Sequence, residues 1–132
     1  MRGMLVVILA IAALGAPADE QLPRFELVQA ELFSAAGGQT NAWAGFDNDG
    51  DLDEFVGFRG RPNRLYRQDR GVFADVAAAS GIADTIDTRA AAWGDFDGDG
   101  DVDLYIGFAG GAPNKLYRND DGRFSLAINT GQ

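Results

Sequence analysis

Two stretches of the chain place aspartates at every second position around a glycine turn. The first contains Asp47, Asp49, Asp51 and Asp53, and the second contains Asp97, Asp99, Asp101 and Asp103. Two unit charges ~5 Å apart repel by roughly 3 kcal/mol at an effective dielectric constant of ~20, so a cation would stabilise such loops. Alternating carboxylates around a tight turn are typical of loops that bind calcium through oxygen ligands. The spacing therefore predicts two Ca²⁺ sites.

Other chemistries find less support in this composition. The chain contains no His and no Cys, which disfavours zinc and removes the usual bases and nucleophiles. Magnesium is a minor alternative because it requires near-ideal octahedral geometry. Ser34, Ser80 and Ser125 lack any motif that would activate a hydroxyl. A glycosidase-type carboxylate pair stays open, but the aspartates are spaced as ligands, so we expect a protein that is not an enzyme.

The two loops belong to a longer internal duplication. A shift of 50 residues relates Trp43 to Trp93, and after one inserted residue a shift of 51 relates the segment 62–67 to the segment 113–118. Self-similarity at a fixed period is typical of stacked structural repeats. Because Trp and Tyr recur once per repeat, we interpret them as core residues of each unit rather than as a ligand-binding aromatic patch.

Each repeat reads as four short strands separated by turns. The expected strands are residues 41–45, 53–58, 64–68 and 72–77 in the first repeat, and 91–95, 103–108, 115–119 and 123–128 in the second. Residues 25–30 resemble the fourth strand of a preceding unit. Four-stranded meanders repeated at about 50 residues are typical of propeller blades. The predicted fold is all-β, with two four-stranded antiparallel β-propeller blades plus one extra N-terminal strand.

The residues around the second loop resemble a known family. The segment 94–108 (GDFDGDGDVDLYIGF), followed by GAPN at 111–114, is similar to an FG-GAP or VCBS-type repeat, as found in integrin α-chain propellers. The PNRLYR run at 62–67 and the FADV run at 73–76 resemble the bacterial repeats related to cartilage acidic protein. The resemblance covers nearly all of residues 25–128, and it implies propeller blades that bind calcium.

The resemblance also implies a ligand set for each loop. The family loop reads Asp-x-Asp-x-Asp-Gly-x-x-Asp, with side-chain ligands at positions one, three, five and nine and a carbonyl ligand at position seven. In the second loop these are Asp95, Asp97, Asp99, the Asp101 carbonyl and Asp103. In the first loop they are Asp47, Asp49, the Asp51 carbonyl and Asp53, while position one is Gly45. The missing carboxylate implies a weaker first site.

Two further features distinguish the repeats. Glu54 stands where the second repeat has the apolar Leu104, and we expect it at a blade edge. Arg59, Arg61 and Arg70 are not matched by basic residues in the second repeat. We interpret them as a solvated or internally paired cluster, with a local anion-binding spot as the alternative.

The N-terminal segment is interpreted as an export signal. It combines the positive Arg2, an apolar run over 4–14 and small residues at 16–18. The apolar run is shorter than the ~20 residues that span a bilayer, so an uncleaved anchor is the less favoured alternative. We expect a secreted, periplasmic or cell-surface protein. Its predicted organisation is a signal peptide at 1–18, an N-terminal strand and connection at 19–40, a blade at 41–77, a connection at 78–90, a blade at 91–128 and a tail at 129–132.

Charge restricts the partners. The chain has 11 Lys and Arg against 20 Asp and Glu, a net charge of −9, which disfavours nucleic acid and anionic membranes. We expect a calcium-binding structural or recognition module with a protein or glycan ligand. The alternatives are a lectin-like propeller and a fragment of a larger propeller protein or polysaccharide-acting enzyme. Because propellers close with about four to eight blades, we also expect a cyclic homo-oligomer, such as a trimer with six blades.

Overall fold

The structure, a computed structural model, describes residues 26–129. The chain divides into two compact units, Met1–Ala30 and Glu31–Gln132. The predicted signal peptide, residues 1–18, lies outside the described residues. Residues 26–129 contain strands and turns but no α-helix. Consequently, no helix in this part of the chain has the length and apolar character required to span a membrane.

Eight strands form two antiparallel sheets that follow the chain order. The first sheet, which we call blade 1, contains β1 (Gly38–Ala44), β2 (Asp53–Phe58), β3 (Arg64–Asp69) and β4 (Val72–Asp75). The second sheet, blade 2, contains β5 (Thr88–Gly94), β6 (Asp103–Phe108), β7 (Lys115–Asp120) and β8 (Arg123–Asn129). The predicted all-β architecture of two four-stranded antiparallel blades is confirmed. In residues 26–129 the two blades do not close into a ring.

The two blades share one pairing register. Trp43, Glu54 and Tyr66 are cross-strand neighbours in blade 1, and Trp93, Leu104 and Tyr117 are their counterparts in blade 2. Strands β1 and β5 begin three residues earlier than expected, at 38 and 88 rather than 41 and 91. In both strands the pairing register shifts after the first residue. This shift interrupts the alternation of inward and outward side chains from which a strand is predicted in a sequence.

The expected ninth strand is wrong over residues 26–30. This segment has no strand structure, and residue 25 lies outside the described part of the chain. Gln29 has a φ of 45°, in the left-handed region that extended strands do not use. Leu27 is 92 % exposed. The sequence FELVQA resembles the fourth strand of a blade, but this resemblance alone supplies no partner for its backbone hydrogen bonds.

The core lies between the two blades. Buried residues from blade 1 and its loops meet buried residues from blade 2 and from the connection between the blades; the cluster comprises Phe46, Phe55, Leu65, Ala77, Ile82, Leu104, Ile106 and Tyr117. Full burial of one such large apolar side chain contributes about 1.5–3 kcal/mol. The blades are therefore held face to face mainly by apolar packing.

Gly57 permits this close approach of the strands. A Cβ atom at Gly57 would lie 2.3 Å from Thr88 Cγ2 and 2.8 Å from Thr40 Cγ2. Both distances are shorter than carbon atoms tolerate, so a side chain there would push β2 away from β1 and β5. The glycine that begins each Gly-Phe pair is thus required for packing in blade 1.

Candidate metal centres

The second aspartate loop connects two directly paired strands. Gly94, the last residue of β5, pairs with Asp103, the first residue of β6. Between them, carboxylate oxygens of Asp95, Asp97 and Asp99 lie within 4.8 Å of one another, and all three side chains are exposed. Among residues 26–129 this is the only group of three or more His, Cys, Asp or Glu side chains whose ligand atoms are so close. The loop thus gathers three oxygen donors at one end of blade 2.

Backbone hydrogen bonds hold this loop in its curled form. Asp95 accepts from the Gly98 amide at 2.7 Å and from the Gly100 amide at 3.1 Å. Gly98 and Gly100 have φ values of 79° and 100°, which glycine adopts most readily. Asp99 accepts from the Asp101 amide at 2.9 Å. The glycines therefore let the chain fold around Asp95 and bring the three carboxylates together.

The Asp101 side chain points away from the cluster formed by the Asp95, Asp97 and Asp99 carboxylates. Its Oδ2 accepts from the Asp121 amide and its Oδ1 accepts from Asn48 Nδ2, both at 2.7 Å. These two hydrogen bonds lower the pKa of the Asp101 carboxyl, the amide bond having the larger effect. Asp101 fixes the loop to the β7–β8 turn and to blade 1, which is compatible with the family assignment of its carbonyl, rather than its carboxylate, as a ligand.

Asp53 and Asp103 anchor the loops through both carboxylate oxygens. Each side chain is buried and accepts two backbone hydrogen bonds, one from its own loop and one from the third strand of its blade. The donors are Phe46 and Gln68 for Asp53, at 3.0 and 2.8 Å, and Phe96 and Asn119 for Asp103, at 2.9 and 2.8 Å. The sequence does not reveal this anchoring role, because an aspartate that binds a metal and an aspartate that binds backbone amides can occupy the same position of the motif.

The first loop gathers fewer carboxylates. Asp47 accepts from the Asp49 amide at 3.4 Å and Asp49 accepts from the Asp51 amide at 2.9 Å, which reproduces the turns of the second loop. The Asp51 side chain accepts from the Arg70 amide at 2.7 Å. Asp47, Asp49, Asp51 and Asp53 do not form a group of three with the proximity seen in the second loop.

The glycine at the first position of this loop has a steric role. A Cβ atom at Gly45 would lie 2.9 Å from the backbone oxygen of Asp51. The φ of Gly45 is not in the left-handed region, so it is close approach and not backbone angle that favours glycine. In the second loop the same position holds Asp95.

The loop carboxylates destabilise one another's ionised forms. Partial desolvation raises the pKa of the Asp97 carboxyl, and the charges of Asp99 and Asp103 raise it further. Arg118 opposes this effect, with its Nε 4.0 Å from Asp97 Oδ2. Desolvation likewise raises the pKa of Asp47. Both loops therefore carry excess negative charge that a cation would offset.

Residues 45–106, which include both aspartate loops and end in β6, match the family described as FG-GAP-like repeat. This segment is similar to FG-GAP-like repeats. The resemblance drawn from the segment 94–108 is thereby confirmed. A comparison with curated proteins found no match. The FG-GAP-like segment spans β2, β3, β4 and β5 and therefore crosses from one blade into the next.

Glu54, in the FG-GAP-like segment, is not at a blade edge as expected. It lies on β2, between β1 and β3, and is 8 % exposed. Asn41 Nδ2 donates to its Oε1 at 3.3 Å. Burial raises the pKa of the Glu54 carboxyl. The blade-edge expectation for Glu54 is wrong because β2, the strand that carries it, is paired with β1 on one side and β3 on the other.

The arginine cluster is largely engaged within the chain. Arg59 forms an ion pair with Asp87 at 3.6 Å and Arg70 forms one with Asp69 at 2.8 Å. The Arg61 guanidinium carbon lies 5.9 Å from the centre of the Phe58 ring. These contacts agree with the internally paired interpretation.

A second polar group was missed in the sequence. Asp84, in the connection between the blades, forms an ion pair with Lys115 and accepts from the Tyr117 hydroxyl at 2.8 Å. In blade 1 the Tyr66 hydroxyl donates instead to the Leu32 carbonyl at 3.1 Å. The recurring LYR run could have indicated this group in the sequence. In each blade the tyrosine of this run forms a hydrogen bond to the segment that precedes the blade.

Proposed function

We propose that the protein is an exported, calcium-binding pair of β-propeller blades with a structural or recognition role. The observation that carries the proposal is the approach of the Asp95, Asp97 and Asp99 carboxylates to within 4.8 Å of one another on one exposed loop. Like charges at this separation repel one another, and a bound cation would offset that repulsion.

The donor set fits calcium better than other ions. All available donors are oxygen atoms, and Ca²⁺ prefers carboxylate and carbonyl oxygens in flexible arrangements. The Asp101 carbonyl and the Asp103 carboxylate would complete the set implied by the family. Bound at this loop, Ca²⁺ would supply positive charge that neutralises the carboxylates and fixes the connection between β5 and β6. The first loop, with Asp47, Asp49, the Asp51 carbonyl and Asp53, would be the weaker site because Gly45 supplies no carboxylate.

Export and a non-catalytic role are parts of the same proposal. The charged and apolar pattern of residues 1–18 supports export. Calcium sites of extracellular modules bind at about 10⁻⁴–10⁻³ M, which suits a site with three exposed carboxylates. The acidic composition favours a protein or glycan ligand over nucleic acid.

Calorimetric calcium titration of matched variants tests the metal assignment. Asp97→Asn removes one charge from the cluster of Asp95, Asp97 and Asp99 carboxylates. We expect it to weaken calcium binding at the second loop strongly. Asp121→Asn is the control, because Asp121 has a φ of 49° that Asn tolerates and its side chain is outside the group. Identical titrations for both variants, or no binding heat in the unmodified protein, would contradict the proposal.

A further inference from the structure

A cleft opens between the two blades beside the first aspartate loop. Its volume is about 420 Å³, which lies within the range of about 300–1,000 Å³ that is typical of small-ligand sites. Blade 1 contributes the start of that loop, part of β3 and the turn after β4, and blade 2 contributes the β7–β8 turn and the start of β8. We call it the inter-blade cleft, and its lining includes Phe46, Asp47, Arg67, Asp121, Arg123 and Phe124.

Close contacts hold the two walls of the inter-blade cleft together. A Cβ atom at Gly122 would lie 3.5 Å from Asp47 Cβ and 3.6 Å from Phe46 Cε2, so the β7–β8 turn lies against the first aspartate loop. The Gly122 amide donates to Oδ1 of the buried Asn119 at 2.8 Å, which fixes the turn. The half-buried Phe124 packs on the Phe46 ring, with centroids 5.7 Å apart. The cleft is therefore preformed, and Phe124 is the accessible part of its apolar wall.

The inter-blade cleft contains two guanidinium groups that no carboxylate neutralises. In residues 26–129 neither Arg67 nor Arg123 has a carboxylate oxygen within 4.0 Å, and both residues are exposed. Most other cations in this part of the chain form an ion pair, namely Arg59, Arg64, Arg70, Lys115 and Arg118. The chain has 20 Asp and Glu against 11 Lys and Arg, so a shortage of acids does not explain two unpaired arginines in one cleft.

Comparison of the two repeats shows why Arg67 is unpaired. The shift of 51 residues relates Arg67 to Arg118, and Arg118 forms an ion pair with Asp120. The counterpart of Asp120 in blade 1 is Asp69, but Asp69 pairs with Arg70, at 2.8 Å. Arg70 therefore takes the carboxylate that would otherwise neutralise Arg67, and the Arg67 guanidinium stays available to a ligand in the cleft.

The mixture of groups in the inter-blade cleft discriminates among anionic ligands. Asp47 and Asp121 line the same cleft as the two arginines, so a ligand with several negative charges, such as an acidic peptide, would meet carboxylates as well as guanidinium groups. A sugar acid carries one carboxylate and several hydroxyl groups. Its carboxylate can accept two hydrogen bonds from one guanidinium, its hydroxyl groups can donate to aspartates, and the apolar face of its ring can pack on Phe124. The cleft therefore suits a sugar acid better than a polyanion.

We propose that the inter-blade cleft binds a uronate residue of an acidic polysaccharide, with the uronate carboxylate held by Arg67 and Arg123 and the sugar ring packed on Phe124. This assignment rests on the recognition role proposed above and names the ligand class for it. Because two arginines, and not a metal ion, hold the carboxylate, binding requires no calcium. Measurements in chelator therefore test the cleft alone, whereas the calcium titration tests the aspartate loops alone.

Titration with uronate trisaccharides in chelator, followed by amide NMR spectra of the full chain, tests the cleft. The probes are the trisaccharides of galacturonate, mannuronate and guluronate, and the control for each is its fully methyl-esterified form, which keeps the sugar but lacks the charge. We expect binding of a uronate trisaccharide to shift the amide signals of residues 122–124, which line the cleft. Its methyl ester should bind about tenfold more weakly or worse, because it loses the charged hydrogen bonds.

Two charge-removing variants and a matched control locate the bound carboxylate. Arg67→Gln and Arg123→Gln each change an exposed residue, so both should fold, and each should weaken uronate binding by about tenfold or more. Arg61→Gln removes the same charge outside the cleft. Arg61 is exposed and, within the described part of the chain, forms no ion pair, so this variant should bind like the unmodified protein. Circular dichroism and thermal unfolding verify that all three variants are folded.

Five results would overturn the proposal. Three concern the sugar: none of the three uronate trisaccharides binds, the methyl esters bind as tightly as the acids, or binding appears in calcium but not in chelator. The fourth is equal binding by the two cleft variants and Arg61→Gln, which would place the ligand elsewhere. The fifth is tighter binding of a hexaglutamate peptide than of every uronate trisaccharide, which would assign the cleft to an acidic protein partner.

Discussion

The Asn119 side-chain amide donates to the Phe46 carbonyl at 2.7 Å and so joins blade 2 to the first aspartate loop of blade 1. The same amide donates to the Val102 carbonyl at 3.0 Å, and Asn119 is fully buried. One side chain therefore satisfies one carbonyl in each aspartate loop. This places the two loops in a single hydrogen-bonded network at one end of the blades.

Asn119→Ala should destabilise the fold by about 1–3 kcal/mol, because it removes the hydrogen bonds to the buried Phe46 carbonyl and the partly buried Val102 carbonyl. Gln68→Ala is the matched control at the same position of blade 1. Gln68 Nε2 donates only to the exposed Leu52 carbonyl, at 3.0 Å, and we expect a loss below about 1 kcal/mol. Urea unfolding followed by tryptophan fluorescence measures both. Equal losses would mean that the contact between the loops contributes no stability.

Asp103→Asn should destabilise the protein even in the presence of a calcium chelator. The two carboxylate oxygens of Asp103 accept from the Phe96 and Asn119 amides. In the Asn variant an NH₂ group replaces one of these oxygens, and it cannot accept a hydrogen bond. The expected loss is about 1–3 kcal/mol. Asp97→Asn in chelator should not lower the free energy of unfolding, because it removes charge repulsion within the loop. If Asp103→Asn has an effect in calcium only, then Asp103 acts as a ligand and not as an anchor.

Gly45→Ala should destabilise blade 1 because its methyl group would lie 2.9 Å from the Asp51 carbonyl oxygen. Overpacking of this kind typically lowers the free energy of unfolding by about 1–3 kcal/mol. The control is Gly94→Ala, one position earlier in the second repeat, where a Cβ atom would meet nothing within 4 Å. Thermal unfolding of both variants should show a lower melting temperature for Gly45→Ala alone. Gly45→Asp would meet the same carbonyl, so it should not simply convert the first loop into a copy of the second.

The strands and the unusual residues differ in how well the sequence predicts them. All eight strands were located to within about three residues, because alternation and glycine-rich turns are local signals. The burial of Glu54 and the double hydrogen bonds of Asp103 depend on neighbouring strands, so no local pattern reports them. The clash at Gly45 depends on a backbone oxygen six residues later. The segment 26–30 resembles the fourth strand of a blade in sequence but forms no strand, because a local resemblance does not supply a neighbouring strand to pair with.

Glu54 should make the stability of the isolated chain fall as the pH rises. Burial raises the pKa of this carboxyl in the folded state, above the value of about 4.3 expected in the unfolded chain. The unfolded chain therefore releases the proton first, and stability declines from about pH 4.3 through the folded-state pKa. Glu54→Gln removes this contribution. The stability gained by Glu54→Gln, measured by urea unfolding, should increase from pH 4 to pH 7. A gain that is constant across this range would contradict the assignment.

Differential scanning calorimetry in millimolar calcium and in chelator tests the central claim most directly. An ion that binds only the folded protein adds about 2.7 kcal/mol of stability at a hundredfold excess over its dissociation constant. We expect calcium to raise the melting temperature of the unmodified protein and of Asp121→Asn, and to have a much smaller effect on Asp97→Asn. Superimposable melting curves of the unmodified protein in calcium and in chelator would contradict a calcium site at Asp95, Asp97 and Asp99.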